Sequence, residues 1–301
     1  MVSLKTKIAV VLGGALLITG TIGSLAAQAP EKAKKPSVIL ACETYSIRNS
    51  MSQEPAEGKY DLISVMKLMK DLGMKGVTLN DIWLKSATDK AYLDQIKKAA
   101  KDNGIIICGL ICEGNLSTLD DAAWNKQIEV NAEKMRAAAY LGAPLVRLNL
   151  GGLGDQAKDD TIGTDRCIAA FKKLLPLAKE LKIKMTIENH GGPSKKADNI
   201  IRIIKETDPK WVGSCLDFKN WPQDLILQEN AKLARYAYHT HAKAHTFGED
   251  GEETVVPYGK VLQMLKDAKY KGAVSIEFEG PGDQIEGVKK TRDLILRYWK
   301  I

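Results

Sequence analysis

Residues Tyr236–His245 read YAYHTHAKAH, and three of the chain's four histidines fall inside this one stretch. On an extended strand His239, His241 and Lys243 share a parity, so they point to one face at roughly 6.6 Å intervals. Two imidazoles and an amine on one wall suit a metal or acid–base site. A surface loop with clustered histidines is the alternative. Carboxylates arriving at the same wall from other strands would decide between the two.

Outward from this stretch, short apolar runs alternate with helical-period segments. The runs are Val38–Cys42, Gly76–Leu79, Ile105–Ile111, Leu145–Leu150, Lys184–Glu188, Val212–Asp217, Tyr236–His241 and Ala273–Phe278. Between them lie amphipathic segments, among them Leu62–Leu72, Lys90–Asn103, Trp124–Leu141, Asp165–Leu181, Ala197–Glu206 and Lys260–Tyr270. Gly73, Gly104, Gly142 and Gly272 stand where a helix should stop, and Asp165 and Asp198 are candidate N-caps. Asn220–Arg235 is short for a full crossover helix. Strand–helix alternation repeated eight times predicts parallel strands under covering helices, and eight strands close a (β/α)8 TIM barrel. A doubly wound open sheet usually carries a Gly-rich phosphate turn after its first strand, whereas Cys42–Ser50 (CETYSIRNS) has no glycine. The α/β barrel is therefore the expected fold, as one domain over residues 38–301.

The chain has 301 residues, 45% hydrophobic and 27% charged, enough for one large core. Its start reads differently. Lys5 and Lys7 precede the apolar run Ile8–Ile18, which passes through small residues to Ala29. That is the pattern of a cleavable secretory signal over residues 1–29, with residues 30–37 as a polar leader. An exported protein, periplasmic or secreted and off the membrane after cleavage, is the expectation. A retained membrane anchor is the alternative. The net charge of +7 falls to +5 when Lys5 and Lys7 leave. Basic and acidic residues stay interspersed, which does not favour nucleic acid as a partner. The five cysteines, Cys42, Cys108, Cys112, Cys167 and Cys215, are odd in number and sit mostly in apolar runs, so buried free thiols are expected.

In a barrel of this kind the chemistry sits at the C-terminal ends of the strands. Runs five to eight end in Ile187-Glu188-Asn189-His190, Leu216-Asp217-Phe218, the histidine strand, and Ile276-Glu277-Phe278-Glu279. Four consecutive strands thus bring Glu188, Asp217, His241 and Glu277 to one rim. A salt bridge explains any one of these acids taken singly. Three carboxylates and an imidazole together repel unless protonated or bridged by a cation, and the oxygen-rich set suits one divalent ion: Mn²⁺, Mg²⁺ or Co²⁺, with Zn²⁺ allowed.

The motifs Ile187–Gly192 (IENHGG), Cys215–Asn220 (CLDFKN), His239–His245 (HTHAKAH) and Tyr270–Gly280 (YKGAVSIEFEG) resemble the xylose-isomerase-like barrel superfamily. Sugar isomerases, ketose 3-epimerases and inosose dehydratases belong to it, with endonuclease IV a distant member. The resemblance runs from about Val38 to the C-terminus and is strongest after Leu181. It implies that Glu188, Asp217, His241 and Glu277 bind one divalent metal, and that Glu188 and Glu277 also act as base and acid in proton abstraction beside a carbonyl, through an enediolate. A metal-bound carboxylate is a weak base, so Lys243 or His190 is expected to share that work. The family's epimerases commonly carry a histidine three residues after the aspartate. Here that position is Asn220, which puts the substrate-contacting set in doubt.

Other candidates for substrate contact are Arg147 and Asn149 on the fourth strand, Glu113 after the third, Glu43 and Tyr45 after the first, and Trp221 as a stacking face for a sugar. His239, a layer deeper than His241, is a weaker one. The expected function is a metal-dependent sugar isomerase or epimerase acting on a small carbohydrate, with homo-oligomerisation left open. The alternative uses the same chemistry to expel a leaving group, as a lyase acting on 3-keto-glycosides or dehydrating a keto-sugar. A non-catalytic sugar-binding barrel would be expected to have lost these acids. An endonuclease IV-type site needs many more histidines than four.

Overall fold

The computed structural model describes residues 38–153 and 160–301, so the expected signal and leader lie outside the described residues. Eight parallel strands close into one barrel in sequence order: β1 (Ile39–Glu43), β2 (Gly76–Asn80), β3 (Ile106–Cys112), β4 (Leu145–Leu148), β5 (Lys184–Glu188), β6 (Val212–Asp217), β7 (Ala237–Ala244) and β8 (Ala273–Phe278). Around them run α1 (Val65–Asp71), α2 (Lys90–Asn103), α3 (Asp121–Leu141), α4 (Asp160–Leu181), α5 (Ala197–Glu206), α6 (Ile226–Leu233), α7 (Tyr258–Asp267) and α8 (Gln284–Tyr298). Among the described residues no helix is long and apolar enough to cross a membrane.

The strands are buried on both faces because helices cover the outside and side chains fill the inside, which is why they read as continuous apolar runs. The inside is not wholly apolar. His239 shares a hydrogen bond with Thr78 Oγ1 at 3.0 Å, and that hydroxyl also meets Ser275 Oγ at 2.9 Å. The helices bury their apolar stripes, as α5 does with Ala197, Ile200, Ile203 and Ile204. α2 and α3 end on Gly104 and Gly142 in the left-handed conformation expected of such stops.

Several expectations shift. β7 runs on through Ala244 instead of ending at His241, which places Lys243 on the strand and in register with Glu277 of β8. α4 begins at Asp160, so Asp165 lies inside the helix and ion-pairs with Arg202 instead of capping. Asp198 lies in the first turn of α5, whose N-cap position is Lys196, without a side-chain cap. The capping aspartates are Asp89, Asp120 and Asp283, each accepting backbone N–H bonds. The doubtful stretch 220–235 does hold a helix, α6, kept to eight residues by the 3₁₀ turns on either side. All five cysteines are buried and free.

Candidate metal centre

The C-terminal end of the barrel opens into a cavity of about 490 Å³. At its floor Glu188, Asp217, His241 and Glu277, one from each of β5 to β8, bring four ligand-type atoms within 4.8 Å of one another. All four side chains are buried. Register accounts for the convergence, since Asp217 lies beside His241 across β6–β7, and both point inward.

Each acid is set up differently. Asp217 Oδ1 accepts the backbone N–H groups of Lys219 and Asn220, both at 2.7 Å, so the turn after β6 fixes the carboxylate and leaves Oδ2 turned to the Lys243 ammonium at 3.4 Å. Asn189 ties β5 to β6 beneath it, accepting from the Asp217 N–H at 2.8 Å and donating to the Asp217 carbonyl at 3.0 Å. Glu188 forms an ion pair with the buried guanidinium of Arg147 and meets His241 Nδ1 at 2.9 Å. Burial alone would raise the Glu188 pKa; Arg147 and then His241 outweigh it and bring it down to about 2. Glu277 is 3.4 Å from His241 Nδ1 and 3.2 Å from the Lys243 ammonium.

Among the described residues Asp217 Oδ2 and Glu277 Oε2 are buried and have no hydrogen-bond partner, with the Lys243 ammonium as an ion-pair neighbour at 3.4 and 3.2 Å. Burial, opposed by Lys243 and reinforced by Glu277 and Glu188, pushes the Asp217 carboxyl well above the usual range. On Glu277 burial acts the same way, but Lys243 and His241 prevail and hold it well below. A divalent ion bound between these two carboxylates would favour the ionised form of both. Two orphaned carboxylate oxygens, a third carboxylate and an imidazole within 4.8 Å fit a hard to borderline divalent ion.

A softer trio, Cys215, His239 and His241, also brings donor atoms within 4.8 Å. Thr78 engages Nε2 of His239 and leaves its Nδ1 open, but this trio has no carboxylate, and burial raises the Cys215 thiol, against the opposing pull of His241, to about 11. The four-residue group is the better cation site.

Lys243 is buried, with Asp217, Glu277 and Glu279 at 3.2–3.4 Å, and it donates to the Asn220 side-chain Oδ1 at 3.2 Å. Arg147 also meets Glu113 at 2.8 Å. Tyr45, Glu113, Arg147, His190 and Asn220 all line the cavity. Three expected substrate contacts do not. Asn149 is taken up by Glu113, donating to its Oε2 at 2.5 Å. Trp221 is buried with its indole N–H on Asn230, because the chain turns outward after Asn220. His239 lies below the floor with Thr78.

The cavity also takes in Glu43, Asn80, Ile82 and Glu279. Glu43 had only low standing in the sequence, and Asn80, Ile82 and Glu279 had none. Glu279 shares parity with Glu277 in the run EFE, a signal that was available. Asn80 closes β2 on the same parity as Thr78. Ile82 lies in a 3₁₀ turn, where no strand parity applies.

Residues 66–298 match the family model described as Xylose isomerase-like TIM barrel. A D-psicose 3-epimerase crystallised in the presence of D-fructose is 18% identical and covers 87% of this chain and 99% of its own, with a TM-score of 0.67. The 3-keto-D-glucoside 4-epimerase of E. coli is 13% identical, over 87% of this chain and 100% of its own, with a TM-score of 0.70. A shorter likeness, 44% identity over 45 residues, is to the 3'-dehydrocarminate deglycosidase alpha subunit of Microbacterium sp. It covers 15% of this chain and only 13% of that protein's length. With the family model matched across most of its length, this chain belongs to the xylose isomerase-like TIM-barrel family.

Proposed function

We propose that the protein is a divalent-metal-dependent sugar isomerase or epimerase that moves a proton at a carbon beside a carbonyl. The observation that carries this reading is the convergence of Glu188, Asp217, His241 and Glu277 at the floor of a polar cavity large enough for a monosaccharide. These four residues would hold the ion. A divalent cation bound there supplies Lewis-acid polarisation of the substrate's carbonyl and hydroxyl oxygens.

The chain's own groups do the rest. Glu188, kept ionised by Arg147, and Glu277, kept ionised by Lys243 and His241, are the pair through which a proton leaves and returns. The Lys243 ammonium offsets charge developing on a substrate oxygen. Tyr45, Glu113, His190, Asn220 and Glu279 on the wall offer hydrogen bonds to sugar hydroxyls. The N-terminal apolar segment supports export from the cytoplasm, where a free sugar is a more plausible substrate than a sugar phosphate.

Two observations favour a second reading as a lyase. One is Asn220 at the position where the family's epimerases commonly have histidine. The other is the local likeness to a deglycosidase subunit. Expelling a leaving group from a keto-glycoside begins with the same proton abstraction. Incubating the Mn²⁺-loaded protein with ketoses and 3-keto-glycosides in deuterium oxide separates the two. Deuterium in a rearranged sugar supports isomerisation, and a released aglycone supports elimination. Neither product, from a protein shown to hold the ion, would refute both.

A further inference from the structure

The opposite end of the barrel carries a second cleft of about 630 Å³, where helices end and strands begin. Six cations line it: Lys182, Lys184, Lys210, Arg235, Lys269 and Lys271. Among the described residues no acid lines it and none of the six is in a salt bridge, although lysines elsewhere on the surface are commonly paired. Helix C-termini at this end soften the repulsion among these charges, which explains why the fold tolerates them but not why they are gathered there.

The walls between the cations are aromatic. Tyr238 lies flat over Gly213, where a Cβ would come within 2.3 Å of the ring, and the Lys184 ammonium sits 4.0 Å from the ring centre. The Tyr238 hydroxyl donates to the Pro209 carbonyl and the Tyr270 hydroxyl to that of Ala273, both at 2.6 Å. With their hydroxyls engaged, these rings line the cleft together with the half-buried Trp211 and the apolar side chains of Leu145, Ala237 and Ala268.

The backbone adds an independent observation. Five helices close with the same turn, in which a residue of positive φ is followed by an N–H reaching back to the last helical turn. At three of them the positive-φ residue is glycine: Gly73, Gly104 and Gly142. At the other two it is Lys182 and Lys269, each at φ 56°, and both line this cleft. A lysine in the left-handed conformation is strained where glycine is not. Strain retained at two positions of one cleft, both bearing unpaired ammonium groups, points to a use for the side chains.

We propose that this cleft is a second ligand site, taking a small anion carried on a flat apolar body, of the aromatic carboxylate or sulfonate class. The cations hold the anionic group, and the apolar lining, Trp211 and Leu145 among it, holds the body.

The test titrates the full-length protein with 2-naphthoate, followed by calorimetry and tryptophan fluorescence, beside the neutral analogue 2-naphthalenemethanol. Saturable binding of one naphthoate is expected, with the neutral analogue at least roughly tenfold weaker. Lys182→Gly with Lys269→Gly relieves strain, so this variant should melt no lower than the parent yet bind naphthoate at least roughly tenfold more weakly. Lys210→Gln with Lys271→Gln, both at exposed positions, should weaken it as well. Absence of saturable binding, equal affinity for the neutral analogue, or unchanged affinity in both paired variants would overturn the proposal.

Discussion

Replacing Arg147 by methionine keeps most of the buried stem and removes the cation that holds Glu188 ionised. Arg147 is 2% exposed and Glu188 is 3% exposed, so the pair is largely shielded from bulk water. Against burial, Arg147 and then His241 together hold the pKa of Glu188 at about 2 instead of the ordinary 4.5, a net difference that corresponds to about 3 kcal/mol. That agrees with the roughly 3–5 kcal/mol lost when one partner of a buried ion pair is removed. The second pairing, to Glu113, involves a carboxylate 40% exposed and adds little. Urea denaturation of chelator-treated protein at pH 7 should therefore show Arg147→Met less stable than the parent by about 3 kcal/mol.

The sign with pH follows from the depressed pKa. A carboxyl held lower in the folded than in the unfolded state contributes fully above about pH 4.5, and the contribution fades as pH falls towards 2. The gap between parent and variant should shrink over that interval. The double variant Arg147→Met with Glu188→Gln should recover part of the loss, because no unpaired carboxylate remains. A gap under about 1 kcal/mol at pH 7, or one unchanged as pH falls towards 3, would refute the reasoning.

Glu43 should behave in the opposite sense. Burial, then the proximity of Glu277, raises its pKa to about 8, so its ionisation opposes folding increasingly between pH 4.5 and 8. In chelator-treated protein, Glu43→Gln should gain on the parent by on the order of 3 kcal/mol between pH 5 and pH 8, read from urea midpoints; a constant difference would contradict this. Gly280→Ala should cost about 1–3 kcal/mol and lower turnover, because a Cβ there would come within 1.8 Å of the His245 carbonyl oxygen and force the rims of β7 and β8 apart. Thermal melting that leaves the parent and Gly280→Ala indistinguishable would show that the rim yields freely.

Much of this architecture was legible because parallel strands buried on both faces announce themselves as apolar runs, and because strand parity projects onto the barrel interior. Glu188, Asp217, His241 and Glu277 came together as parity at four strand ends said they should. Parity stops being informative where strands stop. Trp221 follows a turn fixed by Asp217, and that turn carries the indole into the core towards Asn230. Asn149 shares parity with Arg147, yet β4 ends at Leu148, and the asparagine is taken up by Glu113. Glu43 was underrated because an acid at the end of the first strand looks like any surface acid until β8 is known to lie beside β1. The helix start at Asp160 was missed because Asp165 offered a nearer capping residue.

The central claim is that Glu188, Asp217, His241 and Glu277 hold one divalent cation, and calorimetric titration of Mn²⁺ into chelator-treated protein at pH 7 tests it most directly. One ion should bind per chain, and Asp217→Asn and Glu188→Gln should each weaken binding by at least roughly tenfold. Absence of saturable binding in the parent, or unchanged affinity in both variants, would contradict it.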